Sequence, residues 1–383
     1  MAKHSHIAKY YADDKDILDL MSAGKMTKSK LHEFARSRGI FVSPDDSERD
    51  LILYLHTLAC SREQLADLLG VIDSPDRAEK LTSRIVETDA AASRLSEACN
   101  AVRDERAALC GEEYKITQFT ENHIQVHVRY SETDHQRTRL LQRREKELTI
   151  DMERVNGRLE VRHQDNPRAT EVVKRLVKLL SDEPDKELPQ HTISLAGIRI
   201  PKLRNDFFVG LMEGIAGYEL DDVVDVKVDK LAAPEEEADP SDAERDEGDI
   251  PLDNEKQALE SELKRVTLSG RGLLYSAEYQ RLIKSEFFIS RAVWVSKQAD
   301  DAGQKVEFGA EFGDADAGEG FRYNVRGVWN KNEDGDFKNA KSQVNPIERT
   351  RLIKLLESSA NNSLAKVSSE ATTENTEPQE AGG

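Results

Sequence analysis

Leu148-Thr149-Ile150-Asp151-Met152-Glu153, then Asn156-Gly157, then Leu159-Glu160-Val161-Arg162-His163: this stretch decides the fold. Apolar and polar side chains alternate on both sides of an Asn-Gly pair, and that pair readily adopts the positive φ values of a tight hairpin loop. The turn sets the register. Met152 is expected to face Val161, and Asp151 to face Arg162. An antiparallel sheet is therefore the organising element, and the rest of the chain is read outward from it.

Upstream, His123 to Tyr130 alternates with Ile124, Val126, Val128 and Tyr130 on one face and His123, Gln125, His127 and Arg129 on the other. That pattern predicts a half-buried strand. Downstream, the spacing predicts a helix over 169–180, a strand over 192–200 broken by Pro201, a short apolar helix over 205–215 and a strand over 223–228. Beyond Asp253 it predicts helices over 255–266 and 278–285, strands over 287–295, 305–312 and 321–329, and a closing helix over 348–357. Pairing Phe312 with Phe321 sets Phe308 opposite Val325 and Ala310 opposite Tyr323. On the other face it sets Glu311 opposite Arg322 and Glu307 opposite Arg326, so opposite charges fall into register.

The N-terminal part reads as helical. A short helix is expected over 16–22, and another opens at Thr27 or Ser29 and is stopped by Gly39. Ile40 to Pro44 is extended. Ser47 with Asp50, and Ser61 with Gln64, have capping-box spacing for two more helices. From Ser74-Pro75 a long helix is expected to run to about Leu109. Its seam of Leu81, Ile85, Thr88, Ala92, Leu95, Cys99, Val102, Arg106 and Leu109 is heptad-like.

The fold class that follows is α+β, with an N-terminal helical region, a β-rich middle α+β domain, an acidic linker and a C-terminal α+β domain with an antiparallel sheet. The expected divisions are 1–60, a helical module; 61–111, helices including the heptad-like one; and 112–231, the middle domain. Then come 232–253, an acidic disordered linker; 254–358, the C-terminal domain; and 359–383, a disordered tail.

The chain has 383 residues and a formal net charge of −18. Residues 219–253 hold 15 acids against three bases, and 359–383 hold four against one, so −15 of the −18 lies in those two segments. The remainder is near neutral, and net charge does not exclude a phosphate-bearing partner. Cys60, Cys99 and Cys110 lack the spacing of a zinc site or a disulfide framework, so no metal and no cofactor is expected. No apolar run is long enough for a bilayer and Met1 leads into polar sequence, so a cytoplasmic chain without membrane association is expected.

Several motifs fail on inspection. His123 and His127, with His135 and Asp134 near in sequence, stand about 13 Å apart along a strand at ~3.3 Å per residue, which is too far to share a metal. Asn330 to Lys341 imitates a calcium loop, but Lys341 stands where a bidentate Glu is required. Asp225-Val226-Lys227 has the acid-x-Lys step of metal-dependent nucleases without a second acid on the preceding strand. The basic features that remain are Arg199, Lys202, Arg204 and the cluster Arg137, Arg139, Arg143, Arg144 and Lys146.

Residues 26–58 resemble a SAP-type helix–extended–helix module through Leu31, Phe34, Ala35, Gly39, Ile40, Val42, Ser43, Leu51, Ile52 and Leu55. The resemblance implies DNA contact through the helix–loop surface. This chain departs from the pattern before the second helix, where Asp45, Asp46 and Glu48 replace the usual Gly and Lys, so contact falls to the first helix. The expected nucleic-acid-binding residues are Lys28, Lys30, Arg36, Arg38, Arg137, Arg139, Arg143 and Arg144. The expected function is that of a non-enzymatic, nucleic-acid-associated accessory protein, with DNA or RNA as partner. The alternatives are a scaffold subunit pairing with a protein or a second copy through residues 75–109, and a metal-dependent nuclease.

Overall fold

The computed structural model describes residues 12–22, 26–72, 79–181, 187–231, 265–299, 303–332 and 335–374. The chain is α+β with a large antiparallel sheet, and it divides into two units. The first comprises Met1–Arg77 and Ala92–Thr149, and the second Ala78–Ala91 and Ile150–Gly383.

The first unit opens with four helices, α1 (Asp14–Met21), α2 (Lys28–Ser37), α3 (Glu48–Leu55) and α4 (Arg62–Ile72). Their starts are written locally. Asp13 and Asp16 form a reciprocal capping box on α1. The Ser47 hydroxyl accepts from the Asp50 N–H on α3, and Ser61 and Gln64 cap α4 reciprocally at 3.0 and 3.2 Å. After α2 the chain turns at Gly39, whose φ of +75° suits a residue without a Cβ. Ile17, Leu20, Leu31, Phe34, Leu51, Leu55, Leu65 and Leu68 close one core. The unit continues with α5 (Ala92–Cys110) and the strands β2 (Glu113–Thr120), β3 (His123–Thr133) and the start of β4 (Arg143–Val155).

The long heptad-like helix over 75–109 does not form. Leu81–Glu87 is a strand, β1, paired antiparallel with β5 (Arg158–Gln164) from Leu81↔Gln164 to Glu87↔Arg158. Only α5 remains of the helix, with Leu95, Cys99 and Val102 buried within the chain. The cause is non-local, since β1 is placed by partners some 75 residues further on.

The second unit adds β6 (Gln190–Thr192), β7 (Tyr218–Lys230), β8 (Arg265–Ser269), β9 (Phe287–Gln298), β10 (Lys305–Asp314) and β11 (Glu319–Trp329). Its strand order is β4-β5-β1-β11-β10-β9-β7-β8, with β6 also on β1. The Asn-Gly hairpin pairs Met152 with Val161 and Asp151 with Arg162. The second hairpin pairs Phe312 with Phe321 and Glu311 with Arg322; a bulge after Glu307 shifts Glu307 opposite Gly327 instead of Arg326.

The helices are α6 (Pro167–Leu180), α7 (Pro201–Glu213), α8 (Ala277–Lys284) and α9 (Pro346–Glu374). Phe207, Phe208 and Leu211 of α7, Leu282 of α8 and Leu352, Leu356 and Ala360 of α9 share one core with Trp294, Phe308 and Tyr323 of the sheet.

Four expectations are corrected. Residues 193–200 are not a strand; Ile193, Leu195 and Ile198 are buried without ladder pairing, and Pro201 opens α7 at a position where its missing N–H costs nothing. Arg265 and Val266 belong to β8, not to a helix. The last helix does not stop at Glu357 but runs to Glu374, with Ala360 and Val367 buried. The acidic stretch 232–253 lies outside the described residues. The expected domain boundary there is not where the chain divides, because β7 before it pairs with β8 and β9 after it. No helix among the described residues is long and apolar enough to cross a membrane.

Candidate nucleic-acid interface

On α2 the buried face is Leu31, Phe34 and Ala35, which turns Arg36 out to solvent and leaves Lys28 and Lys30 half-buried. Lys28 and Arg36 have no side-chain partner among the described residues, whereas Lys30 is engaged within the chain. Arg38 is a strut. Its guanidinium lies 5.4 Å from the Phe34 ring centre, donates to the Ala59 carbonyl and reaches Cys60 Sγ at 3.7 Å. It ties the end of α2 to the connection between α3 and α4. Burial pushes the Cys60 thiol up, and Arg38 partly offsets that.

The second cluster falls on a turn that returns to the helices. Arg139–Leu141 is a short 3-10 helix, and Leu141 is buried in the core of α1 to α4. Arg139 lies 3.4 Å from Asp16 of α1. Arg137 donates to Asp134 at 2.9 Å. The Gln136 N–H and Arg137 together hold the Asp134 carboxyl below the usual carboxylate range. Lys146 pairs with Glu132 at 2.6 Å, and Arg144 is engaged within the chain. Among the described residues Arg143 donates only to a hydroxyl, Ser131 Oγ, at 2.7 Å, and no described carboxylate compensates it.

The structure thus brings the two basic clusters, about 100 residues apart in sequence, into one folding unit. It also sorts them. Lys28, Arg36 and Arg143 carry charge that no described carboxylate takes up; Arg38, Arg137 and Arg139 are spent on internal contacts.

Sequence reasoning passed over Phe41. It is 91% exposed, while its neighbours Ile40 and Val42 pack against the helical core. An extended Ile-Phe-Val triplet must send its middle member the other way, so the signal was present. Leu53 and Tyr54 on α3 are also half-exposed.

The other motifs resolve into ordinary contacts. His123 stacks on Phe119 at 4.9 Å, and His127 lies 3.3 Å from Thr149 Oγ1 and 3.5 Å from Glu147. Asp225 faces Arg291 at 3.1 Å and Ser269 at 3.1 Å, and Lys227 faces Asp229 at 3.6 Å; no second acid stands beside Asp225 in these contacts. Lys341 of the calcium-like loop pairs with Glu307, and Asp334 lies outside the described residues. Arg204 is buried and donates to the carbonyls of Ile198, Ala315 and Asp316. Among the described residues no three His, Cys, Asp or Glu side chains converge as metal ligands. Cys99 is buried, with its thiol pushed up to about 12.

No family model and no curated protein matches this chain. The stretch that carries the SAP-type resemblance folds as two helices, α2 and α3, joined by a turn at Gly39 and a non-helical connection.

Proposed function

We propose that this protein is a non-enzymatic, cytoplasmic, nucleic-acid-associated accessory protein that contacts phosphates through its first unit. One observation carries the reading: Leu141 is seated in the core of the helical module, so the turn bearing Arg137, Arg139 and Arg143 shares a unit with Lys28 and Arg36 of α2. Contacts of this kind position a backbone and do not read bases, so binding is sequence-tolerant and steeply salt-dependent. The test is fluorescence anisotropy with a labelled duplex at several salt concentrations. Changing Lys28, Arg36 and Arg143 to Glu is expected to weaken binding for every sequence and to flatten the salt slope by roughly one unit per lost contact. Arg38 is left intact because it supports the fold. An intact protein that binds neither DNA nor RNA at low salt would sink the reading.

A second reading has its own support. Phe41, Leu53 and Tyr54 are large exposed apolar side chains within one short module that also presents Asp45, Asp46 and Glu48. Such a surface suits a protein partner with a basic, apolar segment, as in a scaffold subunit. Changing Phe41 and Tyr54 to Ser separates the two. It should leave nucleic-acid binding intact and abolish only a protein contact.

A further inference from the structure

The sheet of the second unit buries one face and leaves another built of charge. Trp294, Phe308, Ala310 and Tyr323 point into the core shared with α7, α8 and α9. On the opposite face the register aligns Lys227, Arg291, Glu311 and Arg322 in one row across β7, β9, β10 and β11. A second row holds Asp225, Val293, Gly309 and Asn324, and a third is centred on Glu307. On β9, β10 and β11 the middle row is uncharged and low; on β7 it ends in Asp225, which Arg291 takes up at 3.1 Å. A Cβ on Gly309 would stand 2.8 Å from Asn324 Oδ1, so the floor there has no room for a larger side chain. Glu307 and Glu311 are about 13 Å apart along the strand at ~3.3 Å per residue.

The charges are layered. Glu307, Glu311 and Asp229 lie underneath, with side chains only 8%, 10% and 8% exposed. Each is held from above by two or more cations. Lys341 and Arg326 sit over Glu307 at 2.7 and 3.5 Å. Lys80 and Arg322 sit over Glu311 at 2.6 and 2.5 Å. Arg265 and Lys227 sit over Asp229 at 2.6 and 3.6 Å. Of these cations, Lys80, Arg265, Arg322, Arg326 and Lys341 are 34–62% exposed. With Arg291, Asp225 and Asp165 the network holds seven cations against five carboxylates. A ligand arriving from solvent therefore meets positive charge first, on side chains already fixed in place from below, which lowers the entropy lost on binding.

We infer that the cationic layer on this sheet face is a second phosphate-contacting surface, and that its occupant is the phosphodiester backbone of a nucleic acid. The inference deepens the function proposed above and rests on that reading. Its supports are charge complementarity and the exposed cations that stand over Glu311 and over Glu307 on either side of Val293, Gly309 and Asn324. Neither depends on the first unit.

The test uses the full chain. The variant Lys80→Gln, Arg265→Gln, Lys341→Gln removes one cation above each buried carboxylate and leaves each another, Arg322, Lys227 and Arg326, so the fold is kept. Binding of a labelled 30-nucleotide single strand and of the matching duplex is followed by anisotropy between 50 and 300 mM salt. The expected result is weaker binding and a salt slope flattened by roughly two to three units, with a thermal midpoint near that of the parent. The charge-keeping variant Lys80→Arg, Arg265→Lys, Lys341→Arg should bind as the parent does, which separates charge from folding. Parent-like affinity and slope in the Gln variant overturn the inference. If the α2 variant loses binding and the Gln variant does not, the proposed function stands and this surface falls. If the parent binds no nucleic acid, both fall. Competition by poly-glutamate equal to that by nucleic acid would reassign the face to an acidic polypeptide and also overturn it.

Discussion

Glu357→Ala is expected to loosen the C-terminal helix α9 from the sheet, and the structure sets the size of the effect. Arg162 grips Glu357 with two hydrogen bonds, Nε to Oε1 at 2.6 Å and Nη2 to Oε2 at 2.5 Å, while its Nη1 donates to Asp151 at 2.8 Å. The Tyr323 hydroxyl donates to the same carboxylate. Burial and the nearby Glu357 charge hold that hydroxyl well above its ordinary range, so it remains a donor. Side-chain exposure is 7% for Arg162 and 10% for Glu357, so this is a buried pair and not a screened surface bridge. Removing one partner of such a pair costs about 3–5 kcal/mol, chiefly because the other charge is left buried. Asp151 still faces Arg162, which places the expected loss toward the lower end. In a domain of this size that corresponds to a drop in thermal midpoint of roughly 6–20 °C. The check is urea unfolding of the Ala variant beside the triple variant Asp151→Leu, Arg162→Met, Glu357→Leu. Replacing all the charges of such a cluster by apolar groups of similar volume is often close to neutral, so the triple variant should be more stable than the single one. A single variant within about 1 kcal/mol of the parent, or a triple variant worse than the single, would refute the reasoning.

Two further outcomes follow from the same unit. His163 is wholly buried, and burial pushes its imidazole down to about 4. Between about pH 6.5 and pH 4 the unfolded chain binds a proton that the native state does not, so acidification through that window should remove up to about 3 kcal/mol of stability. The variant His163→Gln should lose less on going from pH 7 to pH 4.5 in urea melts, and an identical pH dependence would exclude this role. Deleting residues 360–383 should abolish cooperative unfolding of the second unit, because Ala360 and Val367 are buried and Val367 alone contributes about 1.5–3 kcal/mol. A sharp melt of the truncated chain at the parent's midpoint, recorded by circular dichroism, would show that the end of α9 is dispensable.

What was legible in this sequence was local. The Asn156-Gly157 loop and the capping boxes act within a few residues; the loop sets the register Met152↔Val161, and the pairing Phe312↔Phe321 goes with Glu311 falling opposite Arg322 across a short connection. What was not legible needed a distant partner. Leu81 and Ile85 fit a helical seam as well as they fit β1, and only pairing with β5 decides between them. The end of α9 was hidden by composition. It packs on α7 through Ser359 and Ser363 set against Gly214 and Gly210, where an added Cβ would come within 2.6 and 2.8 Å. Helices that approach this closely are joined by small side chains, which a search for large apolar ones reads as solvent-exposed. The candidate interface divides the same way. That residues 137–146 are basic is a property of the sequence; which of those charges is free is a property of contacts made elsewhere. Asp16, 123 positions before Arg139, takes that cation up, while among the described residues Arg143 meets only a serine hydroxyl. The charge open to a phosphate is therefore fixed by folding, and the layered sheet face shows the same rule. Its cations are exposed because the carboxylates that hold them are buried beneath, an arrangement that only the pairing of β7, β9, β10 and β11 creates.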